Sequence, residues 1–410
     1  MAPGTAWHVR VDVAFLLASI LLMAVPSRAA TTKQFHDFYP QHGDKYKFIL
    51  EHNCSQEYAN YLTGRPQDFE IDWLGGGSPV SVLVQPVVKC LLENISEYIK
   101  AASSSAQVLL GVTPPILATL GASTDELAML SVIGRRPLLG LLLAFGSPSV
   151  YMDRVFDFRQ PEMILAPTRG RYHAYRPDTK FKMFLLTSLQ YVLALAAVTN
   201  IAVLNWQLGV GTLCAWWPET IFGPLVWGVL SVPIHLGGIF SVRLRLRRVN
   251  TVDGEGYISP GEWVRGIPRR LLGFAKTEWI PGICQDDIRT ISFAEGKTYV
   301  VWSWFSSTAT VIHIIFGSLL LSSLLFIGPR DSLIVIFRYI ISVLACRVVV
   351  MFELAGMREN YVNEIAEEKE MEIVQVDGKM LKFSKQEYVQ RSPVQRSPVL
   401  RLPVSPGGRV

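Results

Sequence analysis

The order of its apolar segments constrains this chain most. A short N-terminal run comes first, then a stretch with two glycosylation acceptors, then several runs of bilayer length separated by arginine-rich connections. A bilayer core takes about 20 mainly apolar residues as helix, because hydrocarbon offers nothing to unpaired backbone groups. Segments 183–203, 221–240, 308–327 and 333–352 meet that length. Two more, 106–122 and 137–151, are shorter, and Pro114-Pro115 interrupts the first. Half of the 410 residues are apolar and only 18% are charged, a balance that places the chain in the membrane class.

The first run, 13–25, follows Arg10 and ends at Pro26, with small residues at Ser27 and Ala29. It is too short to span and reads as a cleavable signal peptide over 1–29. An uncleaved anchor is the alternative, since Asp12 weakens the basic start. Either way, 30–105 is expected on the exoplasmic side. There Asn53-Cys54-Ser55 and Asn94-Ile95-Ser96 fit the N-glycosylation rule. Cys54 and Cys90 are the cysteines of this stretch, and in an oxidising compartment a disulfide between them is expected. Cys54 lies inside the first acceptor, so bridging and glycosylation compete there. Cys214, Cys284 and Cys346 show no metal-ligand spacing.

Charge sets the expected topology. Arg154, Arg159, Arg169, Arg171, Arg176, Lys180 and Lys182 crowd one connection, while 205–220 has neither Lys nor Arg. Arg243, Arg245, Arg247 and Arg248 open the next connection, which continues to Arg265, Arg269 and Arg270. By the positive-inside rule the first and third are cytoplasmic. With the N-terminal region outside, 106–151 must cross an odd number of times. One crossing at 106–122 is expected, with 123–151 at or partly entering the cytoplasmic face and Arg135 and Arg136 at the headgroups. Six crossings are the alternative. The fold class is therefore all-α, a polytopic membrane protein of about five transmembrane helices.

The stretch from Gln107 through Val-Leu-Leu-Gly-Val-Thr-Pro-Pro to Glu126, followed by Gly134-Arg-Arg-Pro-Leu-Leu-Gly and on to Pro148, resembles a family of filamentous-fungal multi-pass membrane proteins without an assigned activity. The resemblance implies fungal origin and membrane residence. It also implies, as an alternative, a place beside specialised-metabolite pathways. It carries over no catalytic residue.

Candidate sites are fragments. Gln190, Asn200, His235, His313, Arg338 and Arg347 are the polar residues of the long runs, which hold no Asp or Glu. Helix–helix hydrogen bonding is the plain expectation for them, with the arginines snorkelling to opposite interfaces. His235 and His313 are also the residues on which a transport role would rest. The loop 251–262 carries Asp253, Glu255, Gly256 and Glu262 at calcium-loop positions, but Thr251 replaces the first ligand and Pro260-Gly261 weakens the exit. Arg243, Arg245, Arg247 and Arg248 form a juxtamembrane cluster suited to anionic lipid. They lack the aromatic platform that nucleic acid needs. His36, Asp37, His42 and Asp44 lie near one another in sequence without a third-ligand pattern. No nucleophile elbow, phosphate loop or zinc-helix motif occurs.

The tail from 353 begins acidic and helix-favouring, carries a hairpin signal at Asp377-Gly378 flanked by 373–376 and 379–383, and ends in repeated Gln-Arg-Ser-Pro-Val units expected to be disordered from about 384. The expected layout is a signal peptide at 1–29, an exoplasmic region at 30–105, a helical membrane domain at 106–352 and a cytoplasmic tail at 353–410. A non-enzymatic membrane component is the expected function. No catalytic residue, cofactor or metal is expected, and a transporter is the alternative.

Overall fold

The structure, a computed structural model, describes residues 34–64, 81–151, 175–218, 220–248, 277–284, 291–293 and 297–376. The segment read as a signal peptide, the calcium-like loop, Arg154 to Arg171 and the repeat tail lie outside the described residues.

An outer layer comes first. Helices α1 (Gly43–His52), α2 (Ser55–Thr63) and α3 (Ser81–Asn94) surround Cys54 and Cys90. Tyr46, Ile49, Leu50, Tyr61, Val84 and Leu91 form its core, which Phe35 and Phe326 complete. Phe35 packs edge-on to Tyr61 at 5.2 Å, and Phe326 packs edge-on to Tyr46 at 5.4 Å. Both phenylalanines take left-handed backbone, φ 67° and 66°. That conformation costs a bulky residue roughly 1–3 kcal/mol, and the burial of two aromatic rings offsets it.

Helix α4 (Glu97–Gly111) starts on Ser96, whose hydroxyl accepts from the Ile99 N–H. It breaks at Val112, so that in α5 (Thr113–Leu120) the proline pair falls in the first turn, where a missing N–H costs little. After Gly121 the chain restarts as α6 (Thr124–Val132), opened by a reciprocal capping box between Ser123 and Glu126. Helix α7 spans Pro137–Gly146. Then come α8 (Lys180–Gly211), α9 (Gly223–Arg245), α10 (Lys297–Ser322) and α11 (Pro329–Val376). Between them lie short antiparallel pairs, β1 (Leu213–Cys214) with β4 (Leu324–Leu325) and β2 (Leu246–Arg248) with β3 (Ile291–Phe293).

Four of these helices are long and apolar enough to cross a membrane: Lys180–Gly211, Gly223–Leu244, Tyr299–Ser322 and Pro329–Tyr361. The chain to Val362 is one compact unit. From Asn363 to Val376 the described chain continues as helix, so 373–376, expected as a strand, is helical. A helix already running adds residues at little cost, and that outweighs the local strand signal.

Close approaches fix the path of the broken helix. A side chain on Gly111 would meet Ser322 at 2.8 Å, one on Gly238 would meet Thr124 at 2.8 Å, and one on Gly134 would meet Met357 at 3.2 Å. Thus α5 and α6 together run the bundle from the end where α10 finishes to the end where α11 passes Met357. The run expected at 106–122 is only the first half of that path, because Gly121 and the cap at Ser123 interrupt the helix inside the bundle.

Helix α7 then turns back. It starts beside Glu353 and ends with Gly146 against Cys346, seven residues earlier on α11, or about 10 Å along the axis. The chain returns as irregular backbone tied by a parallel bridge between Ser123 and Tyr151, with the Tyr151 N–H donating to Ala122 O at 3.1 Å. The expectation for Arg135 and Arg136 is half corrected. Arg135 is exposed in a left-handed turn (φ 49°), and that turn sends Arg136 fully inside.

Candidate functional site

The long helices are inside-out in polarity. Phe184, Leu189, Val192, Ile312, Phe337 and Ile341 face outward, while Thr187, Gln190, Asn205, His235, His313 and Glu353 are buried. Helix α9 is the central post, with no large apolar side chain among its described residues exposed. The polar side chains form three layers along the bundle.

The layer nearest the outer helices joins α8 to α11. Arg338 Nε donates to Asn200 Oδ1 at 2.9 Å and its Nη1 to Gln207 Oε1 at 2.6 Å. Asn200 Nδ2 donates in turn to Ser342 Oγ at 2.7 Å and to the Arg338 carbonyl at 3.0 Å. Beside this layer opens a cleft of about 460 Å³ between the Asp37 to Pro40 strand of chain, the end of α8 and the start of α11. Asp37, Tyr39, Trp206, Gln207, Asp331 and Arg338 give it its polar and aromatic character. Burial pushes the Tyr39 phenol well above its ordinary pKa, so it stays protonated, and its hydroxyl has no hydrogen-bond partner among the described residues.

The middle layer surrounds the helix break. Trp227, Ser231 and His235 recur every fourth residue on one face of α9. Trp227 stacks on His313 at 5.7 Å, and His313 Nε2 lies 2.8 Å from the Pro148 carbonyl. Ser231 Oγ donates to Ala144 O, in the last turn of α7, at 3.1 Å. Both nitrogens of His235, Nδ1 of His313 and Oγ of Ser149 are buried without a hydrogen-bond partner among the described residues. Buried polar groups in this state are few in folded proteins and costly. Just below, Glu126 pairs with Arg347, so this arginine is held by α6 rather than reaching freely to an interface.

The innermost layer carries full charges. Arg136 Nη1 sits 2.7 Å from Glu353 Oε1 and donates to Gln190 Oε1 at 2.6 Å, and Gln190 Nε2 donates to the same Glu353 oxygen at 2.6 Å. The Gly282 N–H donates to the other Glu353 oxygen at 2.9 Å. Glu278 Oε1 accepts from the Leu139 N–H at 2.8 Å and from Tyr191 OH at 2.7 Å. Arg136 Nε donates to the Glu278 carbonyl at 3.0 Å. A chain without Asp or Glu in its counted apolar runs thus encloses two carboxylates in this layer, brought in by the residue just after one run and by a connecting segment.

Other singled-out residues fall elsewhere. Cys54 and Cys90 are joined in a disulfide, with Cα atoms 5.9 Å apart. Beside it the two acceptor asparagines touch, Asn53 Nδ2 donating to Asn94 Oδ1 at 3.0 Å, and both are exposed. His36 and His42 pack separately on Tyr58 and Tyr46. Arg243 is exposed near the end of α9, which closes at Arg245, and Arg247 and Arg248 lie on β2. Among the described residues no three His, Cys, Asp or Glu side chains converge to hold a metal.

No protein family, curated protein or solved structure matches this chain.

Proposed function

We propose that this is a multi-pass integral membrane protein of the secretory pathway or plasma membrane, acting without a covalent reaction of its own. The observation that carries the reading is the inverted polarity of the four long helices. Outward Phe, Leu, Ile and Val faces are costly in water and stable in hydrocarbon, and the buried polar layers supply interhelical hydrogen bonds there. On this reading α5 and α6 form a fifth, broken crossing and α7 is re-entrant. The disulfide layer with Asn53 and Asn94 is exoplasmic, the tail is cytosolic, and Arg243, Arg245, Arg247 and Arg248 meet anionic lipid. Nucleic acid is not a partner. The family resemblance adds fungal origin to the proposal.

A second reading, transport or an accessory role beside a specialised-metabolite pathway, is favoured by one observation. A helix break and a half-helix meet at two buried histidines, of which His235 has no hydrogen-bond partner among the described residues and His313 bonds the Pro148 carbonyl through Nε2 alone, and transporters place substrate and ion sites at such discontinuities.

The test is a glycosylation map on carbonate-washed membranes. Mobility shifts at Asn53 and Asn94 on glycosidase treatment, with none at an Asn-X-Ser acceptor inserted between Pro167 and Pro177, are expected. Release of the protein by carbonate sinks the membrane reading, and modification of the inserted acceptor sinks the five-crossing map. Substrate flux abolished by His235→Ala would establish the second reading.

A further inference from the structure

We infer that the cleft beside Arg338 is a binding site for the headgroup of a phospholipid bearing a primary amine. Its charged groups are left open in a complementary way. Asn200 and Gln207 hold the Arg338 guanidinium through Nε and Nη1, and Nη2 makes no hydrogen bond among the described residues. A guanidinium fixed in this manner presents a planar donor to a phosphate oxygen. Among the described residues the buried Asp331 accepts from the Gln41 N–H on Oδ2 and makes no hydrogen bond on Oδ1, and the exposed Asp37 makes none. Two carboxylates and one guanidinium line the cleft together, so it offers a partner both to a phosphate and to an ammonium group. Tyr39 also lines the cleft, its hydroxyl buried and without a hydrogen-bond partner among the described residues.

A phosphate and a primary ammonium on one short headgroup meet both signs of charge in the cleft. Quaternary amines lack the N–H donors, and glycerol headgroups lack the positive charge. The cleft volume of about 460 Å³ falls in the range of sites for small molecules.

Free zwitterions share this chemistry, and the surroundings select the lipid. Trp206 and Ile334 wall the cleft and are themselves exposed, and the outward apolar face continues from them to Val203, Phe337 and Ile341. Acyl chains leaving the cleft lie along that face, and the Trp206 indole is of the type that gathers at headgroup depth.

The inference rests on the membrane reading above, and its test separates the two. Full-length protein purified in detergent is presented with phosphatidylethanolamine, phosphatidylcholine or phosphatidylglycerol at equal mole fraction, and retained lipid is read by native mass spectrometry. Phosphatidylethanolamine is expected to be retained several-fold over the other two. Arg338→Gln and Asp37→Asn are each expected to lower that retention about tenfold, the scale of one charge-assisted hydrogen bond. Asp37 is exposed and unbonded, so Asp37→Asn keeps the unfolding midpoint of the parent and reads binding alone.

Equal retention of phosphatidylcholine, or retention indifferent to both substitutions, overturns the assignment. Stabilisation by soluble phosphoethanolamine as strong as that by the lipid places the ligand in water and overturns it too. Carbonate resistance with no amine preference sinks this inference alone, whereas carbonate release sinks the membrane reading beneath it.

Discussion

Arg136, at the N-cap of α7, and Glu353 on α11 form an ion pair with neither side chain exposed. Such a pair is weak evidence for stability by itself, because desolvation consumes most of its attraction. Breaking it is another matter. Glu353→Ala leaves a buried guanidinium with Gln190, the Tyr191 ring and backbone but no carboxylate bonded to it, and is expected to cost about 3–5 kcal/mol. Arg136→Met with Glu353→Leu removes both charges and is expected to recover the larger part. Thermal unfolding in detergent checks both, and a double variant as unstable as the single one contradicts this account.

Glycine at 209 and 317 is required by close approach. A Cβ at Gly209 would run into the Ile221 carbonyl, and one at Gly317 into the Trp227 indole. Backbone cannot yield as a side chain can, so Gly209→Ala is expected to be the worse of the two, and Gly317→Ala to cost about 1–3 kcal/mol. Trp227→Phe in the Gly317→Ala background is expected to restore part of that loss, with unfolding midpoints as the readout.

His235 separates stability from function. Neither of its nitrogens has a hydrogen-bond partner among the described residues, and replacing an unsatisfied buried polar group with an apolar one of similar size is neutral or stabilising. His235→Leu is therefore expected to leave stability unchanged or raise it by about 1 kcal/mol. A large loss of stability would show that the imidazole is bonded after all.

Removing the disulfide loosens the outer layer. Cys54 and Cys90 are separated by 36 positions in sequence, a loop for which the chain-entropy account gives roughly 4 kcal/mol. Cys54→Ser with Cys90→Ser is expected to make the outer helices protease-sensitive while α8 to α11 stay resistant. Uniform cleavage of both would show that the layers do not unfold separately.

Cys214, on β1, should be a slow thiol. Burial raises its pKa, and the thiolate is the nucleophile, so its reactive fraction at a given pH falls below that of an ordinary cysteine. Its maleimide labelling is expected to stay low near pH 8 in the folded protein, to climb only at distinctly higher pH, and to become fast on unfolding. Rapid labelling of the native protein near pH 8 would contradict this.

The four long helices were legible because a run of about 20 apolar residues has few other uses, and Gln190 and Asn200 were legible as interhelical hydrogen bonders. The charged layer was not. Glu353 follows Phe352, the last residue counted as apolar, while its partner Arg136 lies more than 200 positions earlier at the start of a short helix. Glu126 was hidden in the same way, since a capping box explains it locally and nothing in the sequence points to Arg347. Sequence patterns report local periodicity, and ion pairs between distant segments leave none. A buried charge at the edge of an apolar run is nonetheless a usable signal, because it demands a partner.

The outer layer has an unusual order of completion. Phe38 and Tyr46 belong to the earliest described part of the chain, yet the ring that closes their cluster is Phe326, and Gln41 docks on Asp331 across 290 positions. During synthesis this layer has its own helices and cysteines long before it has its last wall. A ribosome halted before Phe326 therefore leaves an aromatic face uncovered, the kind of surface chaperones retain.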